Sequence, residues 1–170
     1  MLIQRISRLV ARASSLGLTI AGGLAFLAPL ATRLMMGQAF YLTGHGKLAN
    51  FDRTAAFFAD LGIPFPVLNA GFVSTLELVG GICLILGLGS RIFSVLLSGS
   101  MVVALLTADK QTFIDKFPAD ITDVVPVVYL MFLAWIALYG PGPISLDRLL
   151  SKVLNRTAAV EAHQLEPART

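Results

Sequence analysis

Two ionisable side chains stand deep inside long apolar runs of this chain: Arg33 in TIAGGLAFLAPLATRLMMGQAF and Glu77 in VLNAGFVSTLELVGGICLILG. A lone charge in hydrocarbon costs several kcal/mol, so each needs a counter-charge, water or a change of protonation. Arg33 shares a helical stripe with Gly37, Tyr41 and Gly44, and Glu77 shares one with Ala70, Ser74 and Gly81. Small residues on facing stripes let two helices approach closely. The expectation is therefore a buried Arg33–Glu77 pair that Gln38 and Tyr41 help to satisfy. Such a pair has two readings. It locks the register of two helices, which is the preferred one, or it is the polar floor of a pocket for a quinone head group, a proton path or a small solute. His45 and Lys47, in GHGK at 44–47, belong at the mouth of that region. A histidine there serves more often as an interfacial hydrogen-bonding group than as a ligand.

Other chemistry finds little support. Cys83 is the only cysteine and lies in the apolar run LVGGICLILG, so it reads as a small buried hydrophobe. With His45 and His163 the only histidines, no metal site is expected and the catalytic residues stay unassigned. Basic residues are not interleaved with stacking aromatics, which argues against nucleic acid as a partner.

The elements that must hold these groups follow from composition. Of 170 residues, 56% are hydrophobic and 14% charged, more apolar surface than one small soluble core can hide. Four apolar stretches, about 16–43, 68–88, 92–108 and 124–140, are long enough to cross a bilayer as helices, which takes roughly 17–25 residues. The first is overlong and carries Pro29 and Arg33, so a kink, a tilt or an uncertain inner boundary is expected in it. Counted from the ends of these stretches, Arg33 and Glu77 both come to about 14 Å depth at 1.5 Å per residue.

The fold class is thus all-α, an integral membrane four-helix bundle over 16–150. Residues 1–15, with Arg5, Arg8 and Arg12 opposite Leu2, Ile6, Leu9 and Val10, read as a basic amphipathic interfacial helix. A signal peptide is the competing reading there, weakened by the absence of a good cleavage site. Residues 151–170 read as a polar tail. The stretch DRTAAFFADLG, 52–62, reads as a short amphipathic helix in the first outer loop, ended by Gly62 and Pro64, and either rests on the bundle rim or acts as a lid. With both termini cytoplasmic, eight basic residues (Arg5, Arg8, Arg12, Arg91, Arg148, Lys152, Arg156, Arg169) lie inside and four (Lys47, Arg53, Lys110, Lys116) outside. The expected location is the bacterial inner membrane, multi-pass.

The order Arg33, then GHGK at 44–47, GIPFP at 62–66, ELVGGICLILGLGSR at 77–91 and GPGPISLDRLL from 140 resembles the DoxX family of small bacterial membrane proteins, over about Leu27 to Leu150. The resemblance implies four membrane helices and, by position, marks Arg33, Lys47, Glu77, Gly81, Gly87, Arg91, Gly140 and Asp147 as family-like. It also implies association with redox complexes, including thiosulfate and quinone oxidation, without supplying a common catalytic set. Three functions stay open. One is an accessory subunit without its own cofactor, docked in a larger membrane complex and without intrinsic catalysis. Another is a quinone-reactive subunit using Arg33, Glu77 and His45, with quinone or lipid bound at a shared site. The last is a small permease or proton pathway.

Overall fold

The computed structural model describes residues 22–153 and 155, and these contain helices and turns but no strand. The helices are α1 (Leu27–Ala49), α2 (Phe51–Asp60), α3 (Pro66–Leu86), α4 (Ser90–Leu106), α5 (Lys110–Lys116) and α6 (Val125–Tyr139), with a 3₁₀ turn at Ile121–Asp123. A further helical segment covers 146–153. The expected helix over 1–15 and the end of the polar tail lie outside the described residues.

Local sequence explains most boundaries. Pro66 occupies the first turn of α3, where its missing N–H is no loss. Gly87 closes that helix with φ of 73°, a left-handed conformation costly for other residues, while Leu88 N–H bonds back to Cys83 O at 2.9 Å. The run that carries Pro29 is interrupted near its start, in keeping with the expected kink or uncertain inner boundary: residues 22–24 are helical, a turn covers 25–26, and α1 runs from Leu27 with Pro29 in its first turn. The other end departs from expectation: α1 runs through the whole of GHGK and stops only at Ala49, with Asn50 at φ −121° and ψ 49°. Hydropathy drops at Thr43 because the side chains turn polar, but nothing there breaks the backbone ladder. The short amphipathic helix does form, as Phe51–Asp60, and Ala55 and Phe58 bury against Ala70 of α3.

The four longest helices touch in closed order, α1 with α3, α3 with α4, α4 with α6, and α6 with α1. Glycines decide the first contact. A methyl group added at Gly44 would sit 2.3 Å from the Leu78 backbone nitrogen, and one at Gly81 would sit 2.4 Å from that of Tyr41. The two backbones are in direct contact, as small residues permit between closely packed helices. Between the four helices lies a core of Met36, Phe40, Leu84, Leu97, Leu133 and Ile136, with the Tyr129 ring edge-on to Phe40 at 5.5 Å.

By length and composition Pro66–Leu86 can cross a membrane unaided. The pair Ser90–Leu106 and Lys110–Lys116, bent by 78°, can do so only if counted as one span, and apolar Val125–Tyr139 is shorter than a span.

Candidate functional site

The expected Arg33–Glu77 pair does not form; the two charges go to opposite ends of the α1–α3 contact. Glu77 is 1% exposed, and both its carboxylate oxygens accept hydrogen bonds from Lys47 Nζ, at 2.6 and 2.7 Å. Arg33, also buried, donates from Nη1 to Pro141 O at 2.7 Å and lies against Gly87. Gly87 is ten residues along α3 from Glu77, about 15 Å at helical rise. The difference has one physical source. Hydropathy falls at Thr43 and sets the expected depth there, whereas α1 continues to Ala49. The longer helix carries Arg33 past Glu77 to Gly87 and sets Gly44 against Leu78, so that Lys47, one turn beyond Gly44, reaches Glu77 with its long side chain. The supporting roles given to Gln38 and Tyr41 fall with the pair, since both side chains are exposed. His45 is exposed too, stacked on Tyr41 with ring centres 6.1 Å apart.

At the Lys47 end, α2, α3 and α4 line a half-open cavity of about 890 Å³. Its floor holds the Lys47–Glu77 pair; its walls are mainly apolar, with Phe57, Phe58, Phe72 and Met101 among them. Arg53, Asn50 and Asn69 add polar groups. The side chain of Lys47 is 31% exposed, so the pair is covered on the carboxylate side and open on the ammonium side. An ammonium group has three hydrogens. Lys47 spends two directions on Glu77 and keeps donor capacity for a molecule in the cavity. The short helix α2 rests on the bundle through Phe58, packed on α3, and supplies one wall of the cavity, held also by Thr54 Oγ1 donating to Lys47 O at 3.1 Å.

At the Arg33 end, the segment after α6 folds back over the α3–α4 turn. Asp147 Oδ1 accepts from Gly89 N–H at 2.8 Å and Oδ2 from Ser90 N–H at 3.4 Å, so a carboxylate 57 residues away caps the start of α4. Its own N–H donates to Gly87 O at 3.1 Å. Sequence reading gave Asp147 no role, because a cap is normally sought next to its helix. Replacing Asp147 with alanine should lower stability by about 1–2 kcal/mol, as for loss of a helix cap, and asparagine should recover most of it, as followed by thermal unfolding in detergent.

These two clusters account for Arg33, Lys47 and Glu77, the charges that packing alone does not explain, and bring in Gly87 and Asp147. A family model described as DoxX matches residues 28–110. The matched stretch includes Arg33, Lys47, Glu77 and the glycine contacts of α1 with α3, while Pro141 and Asp147 lie beyond it. A curated relative of Bacillus subtilis (strain 168), named "Putative oxidoreductase CatD", is 29% identical over 126 residues, covering 72% of this chain and 87% of that protein. No solved structure matches the chain. Among the described residues no group of three metal-ligating side chains comes together.

Proposed function

We propose that this DoxX-like protein is a membrane-embedded, accessory component of a redox assembly, and that its cavity holds the head group of a quinone against Lys47 and Glu77. The observation that carries this reading is the join of a large apolar-walled cavity to a buried, doubly hydrogen-bonded ammonium–carboxylate pair. Ligand pockets combine such walls with a few convergent polar groups. A quinone suits both parts: its ring and tail take the aromatic walls, and a ring carbonyl takes the free donor of Lys47. Glu77 stays covered and holds the ammonium group in place. Quinone reduction consumes two electrons and two protons. Electrons come from a partner redox protein, and the pair fixes the ring and passes protons at its oxygens. The oxidoreductase name of the Bacillus relative points the same way.

A bilayer setting is supported by the apolar exterior: Leu42, Phe72, Ile92, Val95, Met131 and Leu138 are all more than half exposed. In this setting the α1, α3, α4 and α6 helices are the four crossings, the short α6 being accommodated by local thinning and its stacked Trp135–Tyr139 pair lying at an interface. Arg91, Arg148 and Lys152 mark the cytoplasmic end, which turns the cavity outward.

Replacing Glu77 with glutamine tests the site. The amide keeps the shape but removes the charge that holds Lys47, and affinity for a short-tailed quinone analogue, read by fluorescence quenching in detergent, should fall roughly tenfold or more, since hydrogen bonds to charged groups contribute roughly 1.5–3 kcal/mol. Unchanged affinity in a variant that still unfolds cooperatively would sink the assignment. Purification in several mild detergents tests the assembly: a consistently lone chain, with no co-purifying protein, counts against the accessory role.

A further inference from the structure

The Arg33 end of the molecule carries a second opening, separate from the cavity at Lys47. It is a groove of about 630 Å³ between the start of α1, the end of α3 and the 143–152 segment. Three cations line it, Arg33, Arg148 and Lys152, with Ser145 beside them. No acidic residue among those described does: the two oxygens of nearby Asp147 are used by Gly89 and Ser90. Leu30, Leu34, Ile85 and Leu149 make the rest of the wall, and Leu34 and Leu149 are exposed to the surroundings. Arg33 adds the feature that separates this groove from an ordinary basic rim. It is 3% exposed, one of its nitrogens is bound to Pro141 O, and its Nε has no partner among the described residues. A buried donor on a permanently charged group is seldom left unmatched.

We propose that this groove binds an acidic phospholipid, whose phosphate sits among Arg33, Arg148 and Lys152 and whose acyl chains lie over the leucine wall. Guanidinium groups suit phosphate oxygens, and basic pockets between membrane helices on the cytoplasmic side take acidic head groups. The apolar wall beside the cations selects an amphiphile over a free anion. The inference rests on the bilayer reading above but not on the quinone reading, because the groove shares no residue with the cavity at Lys47.

Thermal unfolding of the full chain in a maltoside detergent, titrated with phosphatidylglycerol, phosphatidylcholine or inorganic phosphate, tests it. Phosphatidylglycerol should raise Tm saturably and the other two should not. The exposed double variant R148A/K152A should move the midpoint of that titration roughly tenfold or more to higher lipid, as expected for two cations near an anionic surface. R148K/K152R should restore it, and K110A, a lysine outside the groove, should leave it in place. Equal stabilisation by phosphatidylcholine, saturation by inorganic phosphate alone, an unmoved midpoint in R148A/K152A, or an equal shift in K110A would each overturn the site. Carbonate washing of membranes separates the two failures. A chain released into the soluble fraction contradicts the bilayer reading itself, whereas a retained chain without lipid selectivity contradicts only the groove.

Discussion

Replacing Lys47 with methionine is expected to destabilise the protein by roughly 3 kcal/mol, because it leaves the Glu77 carboxylate sealed in the bundle with nothing to neutralise it. The value sits at the lower end for a broken buried pair, since Lys47 is itself 31% exposed and its loss frees a side chain that water already reaches. The complementary change, Glu77 to leucine, should cost less, because the stranded lysine can reach outward along its flexible stem. The double variant Lys47→Met/Glu77→Leu decides between structural and ligand-binding roles. If the pair acts chiefly as a ligand-binding device, the double variant should recover most of the stability lost in Lys47→Met, since apolar replacements of buried ion pairs are often neutral or better. It should nevertheless bind no quinone analogue. Thermal unfolding in detergent reads the first quantity and fluorescence quenching the second. Full recovery of ligand binding in the double variant would refute the role given to both residues.

Introducing valine at Gly81 should be more damaging still, at roughly 3 kcal/mol or beyond, the upper end for overpacking a tight contact. The neighbouring atoms are backbone: Tyr41 N, Gly37 O and Tyr41 Cα all lie within 3 Å of where the new Cβ would stand. Backbone cannot rotate out of the way as a side chain does, so α1 and α3 would have to separate along their length. Separation would also pull Lys47 from Glu77 and Arg33 from Gly87, coupling the packing defect to both polar clusters. Valine at Gly99, where nothing lies within 4 Å of an added Cβ, is the matched control and should leave the unfolding temperature nearly unchanged. Equal tolerance at both positions would show that the glycine contact is not what holds the two helices together.

These expectations depend on features that were legible in the chain to different degrees. The stripes of small residues on α1 and α3 could be read from spacing, and they do form the contact between those helices. Arg33, Lys47 and Glu77 stood out as charges that packing alone does not explain, and each has a specific partner. Which charge meets which was not legible. The clue was present: matching Gly44 to Ser74 and Gly37 to Gly81, antiparallel, sets Arg33 opposite Ile85, near Gly87, and brings Tyr41 rather than Arg33 level with Glu77, but the span ends taken from hydropathy overrode it. Asp147 was hidden for another reason, because its cap joins residues 57 and 58 apart in the chain.

Sequence by itself determined the helical class, the short amphipathic helix between Asn50 and Gly62, and the stop at Gly140, since these follow from side-chain periodicity and from backbone freedom at single residues. Only the tertiary structure decided the register of α1 on α3, and with it the division of the buried charges into a Lys47–Glu77 pair on a cavity and an Arg33 held by Pro141. Register depends on which backbones can touch, and that is a property of two helices together: six residues of extra helix beyond Thr43 changed no local preference yet moved every partner across the contact.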